Sequence, residues 1–509
     1  MARNPTSNVV ASAGAPGPVD PIAPTTGFFG HPRGLATLFF TEFWERFSFY
    51  GMKALLLLFM TTAVVKGGLG FDDRTGGAIF GIYGSLVYLT ALPGGWLADR
   101  ILGQRRAVFL GGCIIALGHF SMAVPSQYTF FLGLALIVTG TGLLKPNVST
   151  MVGELYPEGG ARRDAGFSIF YMGINLGAMI APLICSPLGE GVSWHLGFAV
   201  AGFGMVLGLI QYAVGGKHLG TAGLIPNAGN DPAERAKAYR ILGIGSAVVL
   251  IGVALAATGV LSFRAEQVAQ AMGIVIFILA VATLAFQLLA GGLDATETKK
   301  MIAIFVLFVF SALFWSGFEQ APSSLNLFAN RLTDRVIFGH EIAAGTLQSI
   351  NPAFIILFAP VFAWIWIALA RKGWEPSAPT KFSLGLILVG IGFLVMRFAA
   401  IRTVGGTVQV SPLWLVTTYL FHTFGELCLS PVGLSTVTKL APHRKVSQMM
   451  GVWFMSISLG NLLAGLIAGR FSDFPLPKIF GAVFLTTAGA GLVLFLLVKP
   501  IRRLMGEVK

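Results

Sequence analysis

The sequence predicts an all-α protein that crosses a membrane many times, and three observations support this fold class. Of the 509 residues, 55% are hydrophobic and 11% are charged, and the mean hydropathy is +0.77. Soluble proteins carry about 25% charged residues, so this chain has less than half the usual supply for a water-facing surface. The hydrophobic residues gather in fourteen segments of the roughly 20 residues that a spanning helix needs. The lysines and arginines are also divided very unequally between alternate loops.

The fourteen segments are joined by mostly short polar loops, as antiparallel helices in a bilayer require. They cover residues 35–62, 75–98, 104–124, 128–148, 166–188, 195–215, 239–260, 270–291, 300–320, 346–371, 380–399, 412–435, 450–472 and 477–498. The first six and the last six flank a pair that contains almost no ionisable residue. We therefore predict a cytoplasmic tail, a six-helix bundle, a linker with an inserted helical hairpin, a second six-helix bundle and a short cytoplasmic tail, at residues 1–34, 35–216, 217–299, 300–498 and 499–509.

The distribution of positive charge predicts the orientation of these helices. With the N-terminus placed inside, 23 lysines and arginines lie on the cytoplasmic side, 8 on the opposite side and four within the segments, which accounts for all 35. Cytoplasmic loops carry the excess of such residues in membrane proteins. We expect a multi-pass protein of the cytoplasmic (inner) membrane with both termini in the cytoplasm. The net charge of +13 is explained by this bias and not by binding to nucleic acid.

The first predicted helix contains four ionisable residues that a bilayer would not tolerate on its lipid face. At about 100° per residue, Glu42, Glu45, Arg46 and Lys53 fall within one stripe of about 140°, together with Tyr50. Each charge near the bilayer centre costs at least ~2.5–3.5 kcal/mol on insertion scales. These side chains must therefore face the interior of the bundle, and we interpret them as functional. A neutral cluster that only holds helices together is the alternative.

Three further charges stand alone in later segments, namely Lys145, Glu319 and Glu426. The cations gather in the first half of the chain, whereas Glu319 and Glu426 belong to the second half. A cavity between the halves would be positive on one wall and negative on the other, which suits a small zwitterion. Lys145 and Glu319 lie near helix ends. As an alternative to a place in the cavity wall, each side chain could extend its charged group to the membrane interface.

The loop between the second and third predicted helices has the pattern Gly-x-Leu-Ala-Asp-Arg-x-x-Gly-x-Arg-Arg from Gly95 to Arg106. This pattern resembles the signature of the major facilitator superfamily. Asp99 can pair with a nearby arginine and with a helix N-terminus, which would latch the two bundles together on the inner face. We predict a cytoplasmic gate there, and an ordinary basic loop is the alternative. The gate would consist of Asp99, Arg100, Arg105 and Arg106.

Motifs for catalysis or metal binding are missing from the sequence. It contains no phosphate-binding loop, no nucleophile elbow and no paired histidines at the zinc spacing, so we predict no enzymatic activity, cofactor or metal. Three histidines within or near the helices have no paired partner in the sequence and are interpreted as packing or interface residues. They are His119, His195 and His422.

The stretch Glu42-x-x-Glu45-Arg46-Phe-Ser-x-Tyr50-Gly51 resembles the first-helix signature of the proton-dependent oligopeptide transporter family. Residues 167–177 resemble its fifth-helix signature, and blocks in later helices match in the same order between about residue 31 and residue 472. The resemblance implies a major facilitator superfamily fold, with two six-helix bundles and the inserted hairpin of the bacterial fourteen-helix type. It also implies import of dipeptides and tripeptides with protons by alternating access, by a protein that we expect to be a monomer in the lipid bilayer.

When the functional residues of the family are carried over by position, the resemblance assigns proton coupling to Glu42, Glu45 and Glu319. The residues that it assigns to the peptide are Arg46, Tyr50, Lys53, Tyr83, Lys145, Asn175, Trp315, Asn351, Glu426, Ser430 and Trp453. Two departures from the family pattern concern the first helix. Phe49 stands where many members have tyrosine. Lys53 stands where arginine is common, so an ammonium point charge replaces a guanidinium that can bind a carboxylate through two hydrogen bonds. The second helix also lacks the histidine that mammalian members use, so coupling must depend on carboxylates.

Two alternative hypotheses assume the same fold, but one assigns a different substrate and the other assigns the opposite direction of proton transport. Related plant members carry nitrate and other anions, and a peptide-like drug is a further candidate substrate. Drug–proton antiporters share the loop pattern around Asp99. A carboxylate partner such as Glu426 is of no use to an anion, and an antiporter has no need of three cations in the cavity wall. Both arguments favour a zwitterionic peptide.

Overall fold

The computed structural model describes residues 26–157, 159–226, 232–257 and 264–506, and most of these residues lie in α-helices. Within these ranges the helices are α1 Arg33–Thr61, α2 Asp73–Leu89, α3 Ala91–Leu97, α4 Gln104–Met122, α5 Gln127–Glu154, α6 Gly160–Gly191, α7 Trp194–Gly215, α8 Pro232–Ala257, α9 Ala265–Ala290, α10 Ala295–Phe318, α11 Ser324–Leu332, α12 Ile350–Arg371, α13 Ala378–Arg402, α14 Leu413–Leu440, α15 Val446–Ala468 and α16 Leu476–Met505. The predicted all-α fold class is confirmed.

Each predicted segment corresponds to a helix, with one division and one addition. Segment 75–98 is divided between α2 and α3 at Thr90, whose hydroxyl donates to the Leu86 carbonyl at 2.8 Å. The short helix α11 was not predicted, because nine residues are too few to span a bilayer. Several helices also extend past the predicted ends, since the sequence shows only the apolar part of a helix. α16, for example, continues to Met505 with Arg502 and Arg503 in its last turn.

The described helices identify a multi-pass membrane protein. Ten spans are long and apolar enough to cross a membrane by composition alone. α1 is not one of them because it contains five charged residues, Arg33 at its start and four further along, yet its 29 residues make a helix of about 44 Å, longer than a hydrocarbon core of about 30 Å. The chain must therefore bury the four later charges of α1, Glu42, Glu45, Arg46 and Lys53, inside the protein.

Short irregular elements lie outside the long helices. In the described part of the predicted N-terminal tail, β1 (Thr26–Phe28) pairs antiparallel with β2 (His31–Pro32) directly before α1. The His31 Nδ1 atom lies 2.9 Å from the Tyr156 hydroxyl, which attaches this hairpin to the end of α5. A second hairpin of β3 (Val336–Ile337) and β4 (His340–Glu341) connects α11 to a 3₁₀ turn at Ala344–Ser349, which continues into α12.

The helices pack as two groups, α1–α7 and α10–α16, which we call the N-terminal and C-terminal helices. In the first group α1 packs on α6 and α7, and α4 packs on α5 and α7. In the second group α13 packs on α14 and α16, and α10 packs on α15 and α16. Helix α9 of the inserted pair lies against both α2 and α15. The two groups meet mainly where α2 faces α15 and where α6 faces the segment before α12.

Glycines allow α2 and α15 to approach each other closely. A Cβ atom built on Gly77 would lie 2.5 Å from the Gly465 carbonyl oxygen, and one built on Gly465 would lie 2.5 Å from the Gly77 carbonyl oxygen. Any side chain at either position would force the backbones apart, so only glycine permits this packing. Further along the same helices, the Oγ atoms of Ser85 and Ser458 are 2.6 Å apart.

Polar contacts join the two groups at the end of the molecule where α1 ends and α2 begins. Arg331 of α11 donates from both terminal nitrogens to the Asp73 carboxylate of α2, at 2.7 and 2.8 Å. Arg74 of α2 pairs with Asp473 after α15 at 2.7 Å. The Glu190 carboxylate at the end of α6 accepts the backbone N–H groups of residues 344 and 345, each at 2.8 Å. Together with the glycine packing, these bonds close the space between the groups at this end.

Candidate functional site

A cavity of about 160 Å³ lies between the N-terminal and C-terminal helices, on the inner side of this closed end. Helices α1, α2 and α6 supply one wall, and α10, α14 and the segment leading into α12 supply the other. The polar and aromatic residues that line it are Tyr50, Lys53, Tyr88, Tyr171, Asn175, Trp315, Phe318, Glu319, Gln348, Asn351, Tyr419, His422 and Glu426. Six of the eleven residues predicted to bind substrate, and one predicted to carry the proton, therefore meet in one cavity.

The Lys53–Glu319 ion pair is the charged contact that crosses this cavity. The Nζ atom of Lys53 in α1 lies 2.7 Å from Oε2 of Glu319 at the end of α10. Both side chains are more than nine-tenths buried. Coulomb attraction is strong in such surroundings, and loss of either partner would leave a buried charge uncompensated. The pair therefore joins the two groups of helices in a way that depends on the ionisation of both residues.

The other buried charges of α1 lie two to three turns before Lys53 and compensate one another. The Arg46 side chain pairs with Glu45, and its Nε lies 3.2 Å from Oε1 of Glu42. One oxygen of each glutamate and one terminal nitrogen of Arg46 are buried and have no hydrogen-bond partner among the described residues. The guanidinium also lies 5.0 Å from the ring centre of Phe49 and 6.0 Å from that of Tyr50. This cluster thus adjoins the cavity through Tyr50 and retains unused polar atoms.

Lys145 adds a third cation behind the same wall. Its Nζ atom lies 4.1 Å from the ring centre of Tyr88, and Tyr88 lines the cavity. Among the described residues no carboxylate lies within ion-pair distance of this ammonium group. A cation on an aromatic face is held at a modest gain of roughly 0.5–2 kcal/mol. Lys145 is therefore available to an anionic group that enters the cavity.

The opposite wall presents a carboxylate and an amide, and a second amide faces them. Glu426 of α14 lines the cavity, and its Oε2 atom is buried without a partner among the described residues. Asn351 donates to the Thr423 hydroxyl at 2.9 Å, which leaves its carbonyl oxygen for another donor. Across the cavity, Asn175 donates to the Tyr171 carbonyl at 3.0 Å. These acceptors fit an ammonium group with several N–H bonds to donate.

Five residues predicted to bind substrate do not line the cavity in this conformation, namely Arg46 and Lys145, described above, and Tyr83, Ser430 and Trp453. Tyr83 stacks beside Phe49, with ring centres 6.4 Å apart, and its hydroxyl is buried without a partner in the described part of the chain. Trp453 packs against Phe382, and the Ser430 hydroxyl is likewise buried and unpartnered. Glu42 and Glu45 also lie outside the lining, in the α1 cluster described above.

Six of these polar and aromatic lining residues were not predicted from the sequence, and helical spacing is the signal that would have found most of them, including Phe318, which follows Trp315 by three residues. Tyr171 precedes Asn175 by one helical turn, His422 precedes Glu426 by one turn, and Gln348 precedes Asn351 by three residues. Residues at these spacings share a helix face. Tyr88 and Tyr419 have no such neighbour among the predicted residues. The ring of His422, interpreted above as a packing residue, both lines the cavity and packs at 5.1 Å from the Phe393 ring.

The predicted gate residues lie on the turn between α3 and α4. Asp99 and Arg100 belong to a single π-helical turn, Ala98–Leu102, which Gly103 ends with a φ of 74°. Arg105 donates from Nε to the Ala222 carbonyl at 2.7 Å and from Nη2 to the Gly220 carbonyl at 2.5 Å. This arginine therefore fastens the connection after α7 to the start of α4. Arg106 follows it in the first turn of α4.

The site as a whole can hold a small molecule that carries both charges. Cations lie on or behind the N-terminal wall, a carboxylate without an ion-pair partner in the described ranges lies on the C-terminal wall, and aromatic rings line the space between them. No group of histidines, cysteines and carboxylates suited to a metal ion occurs in the described ranges. The chemistry of the lining is that of reversible binding, with ionisable groups that can exchange partners.

Comparison with known proteins places this site in a family. Residues 105–483 match the family model of the POT family. The peptide transporter YePEPT of Yersinia enterocolitica is 45% identical over 496 residues, which cover 95% of this chain and 97% of that protein. A di-/tripeptide transporter of Lactococcus lactis subsp. lactis is 38% identical over 490 residues, covering 95% of this chain and 98% of that protein.

A solved structure agrees with these relatives in fold. The crystal structure of a peptide transporter POT in complex with sulfate superimposes with a TM-score of 0.89 at 44% sequence identity. The match covers 94% of this chain and 97% of the crystallised chain. Because the family model matches most of the chain, and the two relatives and the crystal structure match nearly its whole length, the chain belongs to the POT family.

Proposed function

We propose that the protein is a proton-coupled symporter that imports dipeptides and tripeptides across the cytoplasmic membrane by alternating access. The observation that carries the proposal is the buried Lys53–Glu319 pair at 2.7 Å, which joins the two halves of the molecule across the cavity. Relatives that match over 95% of this chain are named peptide and di-/tripeptide transporters, which supports the same class of substrate here.

The charges of the cavity support a peptide zwitterion as the cargo. A peptide carboxylate would face Lys53, Lys145 and, through the neighbouring cluster, Arg46. The ammonium end would face Glu426 with Asn351 and Asn175. Charge-assisted bonds of this kind are the strongest that a small polar ligand makes. Because only the termini and the backbone are bound by charge, we expect side chains to be tolerated widely.

Coupling would follow from competition for the cations. A peptide carboxylate that binds Lys53 displaces Glu319 from its partner. An uncompensated carboxylate in a poorly hydrated cavity is costly, so Glu319 takes up a proton and becomes neutral. The loss of the ion pair frees the N-terminal helices from the C-terminal helices, and the loaded carrier can change the side to which the cavity opens. Glu42 and Glu45 would take part as proton carriers beside Arg46.

The bundles, the orientation and the gate are part of the same proposal. Residues 35–216 and 300–498 would move as two bodies around the site, with both termini in the cytoplasm. The closed end at Asp73, Arg331 and Glu190 would then face outward, and this arrangement of the helices would be the inward-facing form. Asp99, Arg100, Arg105 and Arg106 lie toward the other end and would close the cytoplasmic side when the carrier reorients.

Uptake of labelled dialanine into proteoliposomes with an inward proton gradient tests the proposed cargo. Concentrative uptake that a protonophore abolishes, and that a tripeptide but not nitrate inhibits, is the expected result. Nitrate movement without peptide accumulation would keep the fold and overturn the assignment of Glu426. Liposomes without protein and liposomes without the gradient are the controls.

Substitution Glu319→Gln is expected to abolish proton-driven accumulation of dialanine and to retain peptide exchange between the two sides. The amide keeps the size and the hydrogen-bonding capacity of the side chain but cannot carry the proton. Accumulation and counterflow are measured in the same proteoliposome preparation. Glu341→Gln, at an exposed ion pair with Arg335, is the matched control and should accumulate normally. Unchanged accumulation by the Glu319 variant would contradict its role.

Substitution Glu426→Gln is expected to weaken binding of dialanine and to leave binding of N-acetyl-dialanine almost unchanged, because only the first ligand has an ammonium group. A bond to a charged group is worth about 1.5–3 kcal/mol, or about 10- to 150-fold in affinity. Competition against a labelled peptide measures both affinities. Glu375→Gln, at a half-exposed pair with Lys381, serves as the control. Equal losses for both ligands would show that Glu426 does not bind the amino terminus.

A further inference from the structure

The second helix of the inserted pair covers the seam between the two groups of helices. α9 contacts α2 on one side and α15 on the other. Ala78 of α2, Ala269 of α9 and Leu462 of α15 form one fully buried apolar cluster. Ile82, Ala265 and Met272 pack around this cluster. The hairpin is therefore not a separate appendage, since α9 lies where the N-terminal and C-terminal helices meet.

Polar bonds fasten α9 to α15 at both of its ends. Near its start, the Glu266 carboxylate pairs with Arg470, just after α15. Near its end, Gln287 donates to the Gln448 side chain in the first turn of α15 at 2.7 Å. Between these points α9 is in close contact with α15, because a Cβ built on Gly273 would lie 3.1 Å from the Leu462 side chain.

The connection that follows α9 is held by the same group of helices. Arg444, in the turn before α15, donates to the Gly292 carbonyl at 2.9 Å and to the Glu297 carboxylate at 2.6 Å. Glu297 lies in the first turn of α10. Separation of α9 from the C-terminal helices would break the bonds of Glu266, Gln287 and the Gly292 carbonyl, and it would leave the Gln287 side chain, which is buried, without its partner, which is costly.

The contact between α9 and α2 is of a different kind. It is made by small and apolar side chains, namely Ala265, Ala269 and Met272 against Ala78 and Ile82. Lipid tails are as apolar as these side chains, so the contact can be exchanged for contact with lipid without loss of hydrogen bonds. One side of α9 is thus bonded to the C-terminal helices, and the other side rests on the N-terminal helices.

We propose that α9 travels with the C-terminal helices as part of one rigid body, and that its contact with α2 is a section of the outer closure that must separate during each transport cycle. This inference rests on the proposed alternating-access function. It gives the inserted pair a mechanical role: α9 widens the surface of α15 that closes against α2, beside the Gly77–Gly465 contact.

Paired cysteines joined by a short bifunctional methanethiosulfonate test the proposal in the full chain, after Cys113, Cys185 and Cys428 are replaced by alanine. The test pair is Ala78→Cys with Ala269→Cys, between α2 and α9. The matched control is Gln287→Cys with Gln448→Cys, between α9 and α15. Dialanine uptake is measured before cross-linking, after cross-linking and after reduction.

The expected result is that the test pair loses uptake by about tenfold or more on cross-linking and recovers on reduction. The control pair should retain at least about half of its uptake, because its partners do not separate. Full uptake with the test pair cross-linked, or an equal loss with the control pair, would overturn the proposal. Absence of uptake before cross-linking would instead count against the proposed function.

Distances between spin labels test whether α9 moves with the C-terminal helices, and they do so independently of transport. A label at Ile274, exposed on α9, is paired with one at Leu485 on α16 or at Leu132 on α5, which are also exposed. Acidic and neutral pH, with and without dialanine, are compared. A constant distance to Leu485 and a changing distance to Leu132 are expected. A distance to Leu132 that never changes, or one to Leu485 that changes as much, would contradict the proposal.

Discussion

A lysine and a glutamate in the middle of a membrane protein are tolerated only while they neutralise each other. Each buried charge costs about 2.5–3.5 kcal/mol or more on insertion scales. Lys53 and Glu319 meet this constraint across the cavity, so the favourable arrangement of the two groups of helices depends on their ion pair. The Arg46 cluster differs because its carboxylates lie on the same helix and remain paired however the groups are placed.

The two sets of charges would therefore have different roles in the site. The charges of the Arg46 cluster neutralise one another within α1, so that wall stays polar in every state. The Lys53–Glu319 pair crosses the cavity, so a ligand that enters the cavity can compete for either partner. A peptide carboxylate offers Lys53 the same interaction as Glu319 does, and a proton offers Glu319 an alternative to Lys53. If only the peptide or only the proton binds, one buried charge is left without a partner. If both bind, Lys53 pairs with the peptide and Glu319 is neutral. In the proposed cycle, the glycine packing and the ion pairs of the closed end would then determine which side of the cavity opens when the pair is broken.

The sequence predicted most of the helices and the composition of the site, because hydrophobic length and the cost of buried charge are local properties. The stripe of Glu42, Glu45, Arg46 and Lys53 was evident from helical spacing alone. The choice of partner for Lys53 was not, since several carboxylates were available and only the packing of α1 against the end of α10 selects Glu319. Tyr88 was missed for a similar reason: its position beside Lys145 depends on how α2 meets α5.

The central claim is that peptide binding transfers a proton to Glu319, and calorimetry in buffers of different ionisation enthalpy measures that proton directly. Purified protein should take up about one proton for each dialanine bound near neutral pH, because the displaced carboxylate becomes neutral. The Glu319→Gln variant should bind the peptide with no proton uptake. Equal proton uptake by the variant, or none by the unmodified protein, would contradict the claim.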